Sequence, residues 1–383
     1  MRVTVISAVL ALVCIGESAV LQSRDLLQDL QNQAIEALKA AEANGALERR
    51  SCSISNAGIR RDWNFMSATE RKAYIEAVQC MFSSPSKSDA TVVPGAKNRY
   101  DDFVAQHINQ TTTIHGTGNF LSWHRYFVHG YEKALREECG YTGSQPYWNW
   151  FTHQNNLRKS PIFDGSDTSM GSDGIFVKHN GSLGGAGRIF LPSGEGGGCI
   201  ERGPFKGLVT NLGPNSPTMA GEVKVNGTFT YNPRCLKRDL TTFASSNWLT
   251  LDNLYNLTLG AASKNVETFQ NELQGRFNDG FLGLHAAGHF SIGGDAGDFF
   301  SSPNDPVFFM HHSMLDRVWW IWQALHLDQA KTVAGTITLF NNPPSRNATL
   351  KDVIQMNYLD LPNAKIEEVL STLGGEPLCY IYL

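Results

Sequence analysis

Four of the chain's eleven histidines fall in the forty residues from Leu284 to Gln323, and they restrict the fold more than any other feature. His285 and His289 stand four apart in Leu284-His-Ala-Ala-Gly-His289. Positions i and i+4 of a helix project from one face a turn apart, so both rings can close on one ion. An isolated pair of this kind also arises by chance, and many buried histidines are only hydrogen-bonded core residues. The next segment raises the metal reading. Asn304-Asp305-Pro306 is a helix start, an Asp cap followed by Pro at the first position. The run after it, Val307-Phe308-Phe309-Met310, is too apolar to face solvent. His311 and His312 therefore enter a mostly buried helix.

A second group precedes it. A helix over about Arg99 to His107 carries Tyr100, Phe103 and Val104 on one side and ends on a histidine. Gly116 and Gly118 interrupt helix and leave His115 on a loop, while His124 begins a helix running to Glu138. His129, five residues on, is rotated off the His124 face and reads as structural. The result is two groups of three histidines without neighbouring carboxylates. Di-iron bundles mix Glu with His, and structural zinc prefers Cys. Imidazole-only sites suit copper, zinc or nickel, and two adjacent ones suit a copper pair most naturally, because two one-electron metals match a two-electron exchange with dioxygen.

The remainder is a large globular chain: 383 residues, 42% hydrophobic and 18% charged. A net charge of -4 without basic clusters excludes nucleic acid and an anionic membrane surface as partners, since both demand a concentrated positive field. A small neutral substrate fits better. Arg2, the apolar run Val3 to Ile15 and the small residues to Ala19 read as a signal peptide over residues 1–18, too short for a membrane span. Residues 20–47 carry an amphipathic helical pattern that ends at Glu48-Arg49-Arg50, just before Cys52. This predicts a propeptide over 19–50, with an attached surface helix as the alternative, and one catalytic domain over 51–383.

The mature chain is therefore expected to be secreted. Five sequons (Asn109, Asn180, Asn226, Asn256, Asn347) offer glycosylation sites. Cys14 leaves with the signal, and the six remaining cysteines allow fifteen pairings. The favoured set is Cys52 with Cys379, Cys80 with Cys139, and Cys199 with Cys235. Elsewhere, Ser67 with Glu70 makes a capping box, and residues 155–245 are long Gly-rich loops. Helical patterning returns at 245–255, 264–278 and 364–373.

His107, His115, eight residues, then His124-Arg125-Tyr126 resembles the copper A signature of the tyrosinase and catechol oxidase family. His285-x-x-x-His289 with Asp305-Pro306-Val307-Phe308-Phe309-Met310-His311-His312 and Asp316-Arg317 is similar to copper B. The likeness extends to Arg60-Arg61-Asp62-Trp63, Pro146-Tyr147-Trp148-Asn149-Trp150 and Tyr380-Ile381-Tyr382. Periodicity does not choose between His311 and His312, since the His311 face (Val307, Met314, Leu315, Val318) is at least as apolar as the His312 face. The resemblance places the ligand at His312, four before Asp316, and makes Asp316 a candidate for orienting the site.

That resemblance implies a mainly α fold, a four-helix bundle around a di-copper centre with little β, of the short secreted fungal type. It implies two copper ions per chain, held by His107, His115 and His124 and by His285, His289 and His312, with a phenolic substrate and O2 as partners. Phe308, Phe309 and Phe290 are candidates for packing on ligands or substrate. Two positions depart from the family pattern. Thr113 stands where many members carry a cysteine crosslinked to a ligand ring, so no such crosslink is expected. Ala286 follows His285 where efficient monophenol hydroxylases often have Asn, which points to oxidation of o-diphenols over hydroxylation. A tyrosinase with substantial monophenolase activity is the alternative within the family, and a haemocyanin-like oxygen carrier is the competing class.

Overall fold

The computed structural model describes residues 26–45 and 51–383. The signal at 1–18 and the dibasic pair Arg49-Arg50 lie outside them. The long helices are α1 (26–43), α2 (Ala68–Ser83), α3 (Arg99–Ile114), α4 (Phe120–Cys139), α5 (Thr242–Trp248), α6 (Leu251–Thr258), α7 (Val266–Gln274), α8 (Gly283–Ile292) and α9 (Val307–Leu325). Helices α3, α4, α8 and α9 form the bundle, with α9 packed on both α4 and α8 and α3 on α4.

Capping and packing decide where these helices begin and end. The Ser67 hydroxyl accepts from the Glu70 N–H at 3.3 Å and the Glu70 carboxylate accepts from the Ser67 N–H at 2.7 Å, the predicted box. Helix α3 runs seven residues past the expected end at His107 because Ile108, Thr111 and Ile114 are buried, and packing overrides the weak propensity of its Asn and Thr residues. The single helix expected over 245–255 is two, because the Thr250 hydroxyl accepts from the Asn253 N–H and starts a new one. Gly275, at φ +113, stops α7 four residues short of the expected end. Over 364–373 only the turn Ile366–Val369 is helical. Asp305 keeps its capping role from one residue further out, its carboxylate accepting from the Val307 N–H at 2.9 Å.

The Gly-rich region contains short two-stranded ribbons, 174–176 with 197–200, 182–184 with 189–191 and 209–210 with 234–235. Cys199–Cys235 pins it, and Cys52–Cys379 and Cys80–Cys139 complete the set favoured from sequence. Beside Cys379, Tyr380–Tyr382 pairs in parallel with Gly58–Arg60. This ribbon brings in a buried polar hub. Arg60 donates to Glu132 at 2.6 Å and to Asp316 at 3.3 Å, and Asp316 also accepts from Arg125 Nε at 2.5 Å and from the hydroxyls of Tyr380 and Tyr382, each at 2.6 Å. Every charge in it is paired, as burial requires.

Helix α1 is packed, not loose. Leu27, Leu30, Ala34 and Leu38 form its buried stripe and join the main core. Gln31 accepts a hydrogen bond from the buried guanidinium of Arg317 on α9.

Candidate metal centre

His107 projects from the middle of α3, His115 sits at its C-cap, and His124 lies one turn into α4. Their ligand-capable nitrogens lie within 4.8 Å of one another. Each ring is held from behind by a backbone carbonyl that accepts from Nδ1. The carbonyl is that of Phe300 for His107 at 2.7 Å, of Thr111 for His115 at 2.9 Å and of Phe120 for His124 at 2.8 Å. An Nδ1–H so engaged leaves the Nε2 lone pair free and aimed at the common centre.

His285, His289 and His312 form the second triad, with their nitrogens again within 4.8 Å of one another. His289 Nδ1 donates to the Ala296 carbonyl at 3.0 Å, and its Nε2 lies 3.1 Å from that of His312. Across the centre the His312 ring stacks on that of His124, 4.5 Å between centroids. His311 turns away: its Nε2 donates to the His285 carbonyl at 2.9 Å, and its ring fills the space left by Gly288, where any Cβ would overlap it. His129 lies apart, stacked on Tyr126, and Thr113 spends its hydroxyl on the Gln110 carbonyl at 2.9 Å.

These six rings fit copper. Nε2 of His107, His124 and His285 is buried without a hydrogen-bond partner, which would be costly unless a metal ion met it. Burial drives all six pKa values below the usual histidine value, His115 to about 4 and His289 to about 3. The imidazoles are thus neutral at physiological pH, the form that ligates. An all-nitrogen donor set in two adjacent triads matches a copper pair.

The surroundings are aromatic. Phe308 stacks on His312 at 4.1 Å and also faces His107 and His289, so it packs on rings of both triads. Phe309 instead stacks on Tyr131 at 3.6 Å in the core. A cavity of 580 Å³ opens over His285 and His289 of the second triad and His115 of the first, with Ala286 and Phe290 in its wall.

Asp316 departs from expectation. It bonds no histidine ring; its oxygens are taken by Arg125, Arg60, Tyr380 and Tyr382, so it ties α9 to α4 beside His124 and acts on the triads only through those helices. Sequence reasoning also passed over Phe299, whose ring lies 4.9 Å from that of His115 at the cavity wall. The signal was an aromatic pair, Phe299-Phe300, inside a Gly/Asp loop between two ligand segments. Phe340, at the cavity rim, lies more than fifty residues from its neighbour Phe277 and carried no such signal.

Residues 97–325 match the common central domain of tyrosinase. The chain is 38% identical to Tyrosinase P of Aspergillus terreus over 364 residues, 92% of this chain and 99% of that one. It is also 38% identical to the N-acetyl-6-hydroxytryptophan oxidase of Emericella nidulans, covering 91% and 98%. Among solved structures, a point mutant of a polyphenol oxidase from Thermothelomyces thermophila superimposes with a TM-score of 0.87 at 40% identity, over 93% of this chain and 97% of that one.

Proposed function

The chain belongs to the tyrosinase family, and on that premise we propose that it oxidises o-diphenols to o-quinones with dioxygen, monophenol hydroxylation being the slower reaction. His107, His115 and His124 hold one copper, and His285, His289 and His312 the other. When bound, the pair supplies the two-electron exchange between a phenolic substrate and dioxygen. The carbonyls behind Nδ1 keep the imidazoles aimed, and Phe308 shields the rings from water. A phenol entering the cavity meets His285 and His289, with Ala286 and Phe290 beside it.

The observation that carries this reading is the absence of an unengaged carboxylate among the described residues lining the cavity. Asp298 is the one carboxylate there, and its oxygens accept from the backbone N–H groups of Phe300 at 2.9 Å, Ser301 at 2.8 Å and Ser216 at 2.6 Å. Gln274 is neutral, and its Oε1 accepts from the Gly116 N–H at 2.8 Å. Glu272 is outside the lining, paired with Arg276 at 2.8 Å and bonded by Asn256 at 3.1 Å. A monophenol, with a pKa of about 10, must lose its proton before it is hydroxylated, and a positioned base is worth about 10²-fold or more. A catechol needs only to coordinate and give up electrons.

We place this reaction outside the cell. Three disulfides support an oxidising compartment, and no described helix is long and apolar enough to cross a membrane. Copper-loaded protein is to be given a matched catechol and monophenol, with quinone absorbance and oxygen uptake followed together. Catechol turnover about 10²-fold faster is expected. Faster turnover of the monophenol would overturn the preference, and oxygen binding without quinone would make the protein a carrier.

A further inference from the structure

The 580 Å³ cavity is larger than one phenol ring requires, lying within the range of about 300–1,000 Å³ that encloses drug-sized ligands. Its inner end is lined by His285 and His289 of the second triad and by His115 of the first. Its outer rim is formed by Leu339, Phe340, Phe277 and Leu183. Apart from histidines and the committed Asp298, no described lining residue is charged, so the rim offers nothing to a carboxylate or ammonium group.

Phe340 stands out in this rim on two counts. Its backbone lies in the left-handed region (φ +50, ψ +32), and Asn341 follows at φ +55. Asn tolerates that conformation; a bulky residue with a Cβ does not. Its side chain is 62% exposed, so burial does not repay the strain. The surrounding loop holds it there. The Phe340 N–H donates to the Gly116 carbonyl at 3.1 Å, the Asn341 side chain accepts from the Ser345 N–H at 2.8 Å, and the loop's base is tied by Gly118 N–H to the Thr336 carbonyl at 2.8 Å. The Phe340 ring packs against Gly116, where a Cβ would come within 2.8 Å of it, and faces Phe277 edge-on at 6.4 Å and 86°. A strained residue kept in place by its surroundings points to function, and an exposed Phe340 facing the half-buried Phe277 at a cavity mouth points to a ligand.

We propose that Phe340 and Phe277 form an outer subsite for a bulky apolar substituent, so that the preferred substrates are o-diphenols carrying an aryl or branched alkyl group on the ring position remote from the hydroxyls. This rests on the phenol oxidation proposed above and specifies its substrate class. The catechol oxygens would lie at the inner, histidine-lined end, and the substituent on the aromatic pair, by stacking and edge contact.

The test uses Phe340→Asn, which removes the ring and suits the left-handed backbone, so the variant should fold at least as stably as the native protein. Catechol and 4-phenylcatechol are compared in the copper-loaded enzyme, and binding of the non-oxidisable benzoate and 4-phenylbenzoate is measured by calorimetry. The variant should lose about 10-fold in kcat/KM for 4-phenylcatechol and a similar factor in affinity for 4-phenylbenzoate, with catechol and benzoate unchanged. Phe340→Tyr should retain both. An equal loss on catechol and 4-phenylcatechol would mean that Phe340 serves only the loop behind His115, and no loss on either would mean it is idle; each overturns the subsite. If the native enzyme oxidises neither catechol, the oxidase reading fails, while the two benzoates still test the subsite.

Discussion

His311 donates through Nε2 to the carbonyl of His285 across 2.9 Å, so the histidine beside His312 fastens the helix that carries His285 and His289. Neighbours on a helix point about 100° apart. His311 thereby ties α9 to α8, and His312 looks across the centre to His124.

The adjacent histidines should consequently fail in different ways. His312→Ala is expected to leave one copper per chain and remove most activity with little loss of fold. His311→Ala should keep both coppers but lose about 1–3 kcal/mol of stability, because the buried hydrogen bond from α9 to α8 and the packing of the ring are lost. Copper analysis with thermal denaturation separates them, and activity retained in His312→Ala but lost in His311→Ala would reverse the assignment.

This pair also marks how far the sequence could be read. The two triads were legible because imidazole-only groups at helical spacing leave few alternatives, whereas the choice of His312 came only from family likeness. Both His311 and His312 are fully buried, so burial patterning has nothing to say about which one ligates. Gly288 was a readable clue in hindsight, since a glycine in mid-helix beside a ligand makes room for a ring. The partners of Asp316 were not legible, because Arg60, Tyr380 and Tyr382 come from opposite ends of the chain, where no local pattern links them. The cavity rim stayed hidden for the same reason, being assembled from loops around Leu183, Phe277 and Phe340.

Acid should unfold the protein in two stages. Burial pushes His129 down to about 4, so between pH 6.5 and 4 the unfolded chain takes up a proton that the native residue refuses, and stability falls as pH falls. Burial raises the carboxyls of Glu132 and Asp316, but Arg60 beside the first and Arg125 beside the second help to outweigh it and hold both below their ordinary values. Their contribution is present above about pH 4 and is lost below it. Urea unfolding at a series of pH values should show His129→Gln reducing the slope between pH 6.5 and 4, which the other buried histidines share, and leaving the lower stage unchanged. Asp316→Asn should lose about 3–5 kcal/mol at pH 7, since Arg125 is left buried without its partner. An unchanged slope between pH 6.5 and 4 in His129→Gln would count against this account.

The leader makes a separate prediction. We propose cleavage after Arg50, and the buried stripe of Leu27, Leu30, Ala34 and Leu38, with the hydrogen bond from Arg317 to Gln31, would then keep α1 docked without a covalent tether, since 26–45 contains no cysteine. Denaturing mass spectrometry of secreted protein should show a chain beginning at Ser51, and native mass spectrometry the same chain with the leader bound. A mature N-terminus near Val20 would refute the cleavage.

The last prediction concerns the proton of a monophenol. Ala286 and Gln274 both line the cavity beside His285, and neither provides a base: the first has no polar side-chain atom, and the second is a neutral amide already accepting from the Gly116 N–H. A water held by two polar groups is better aimed at a phenolic proton than one held by a single group, and a carboxylate makes it the stronger acceptor. Ala286→Asn supplies the missing polar atom, and Gln274→Glu supplies the carboxylate at a position that keeps an oxygen for Gly116. Each alone should raise the ratio of monophenol to catechol turnover several-fold, and the double variant should exceed their product, because two groups that share one water act as a unit. Catechol oxidation, which needs no such base, should change little in all three. The measurement is initial rate and lag time on matched substrates, with copper content confirmed at two per chain. Variants that retain copper and catechol turnover but gain nothing on the monophenol would show that proton removal is not what limits hydroxylation in this cavity.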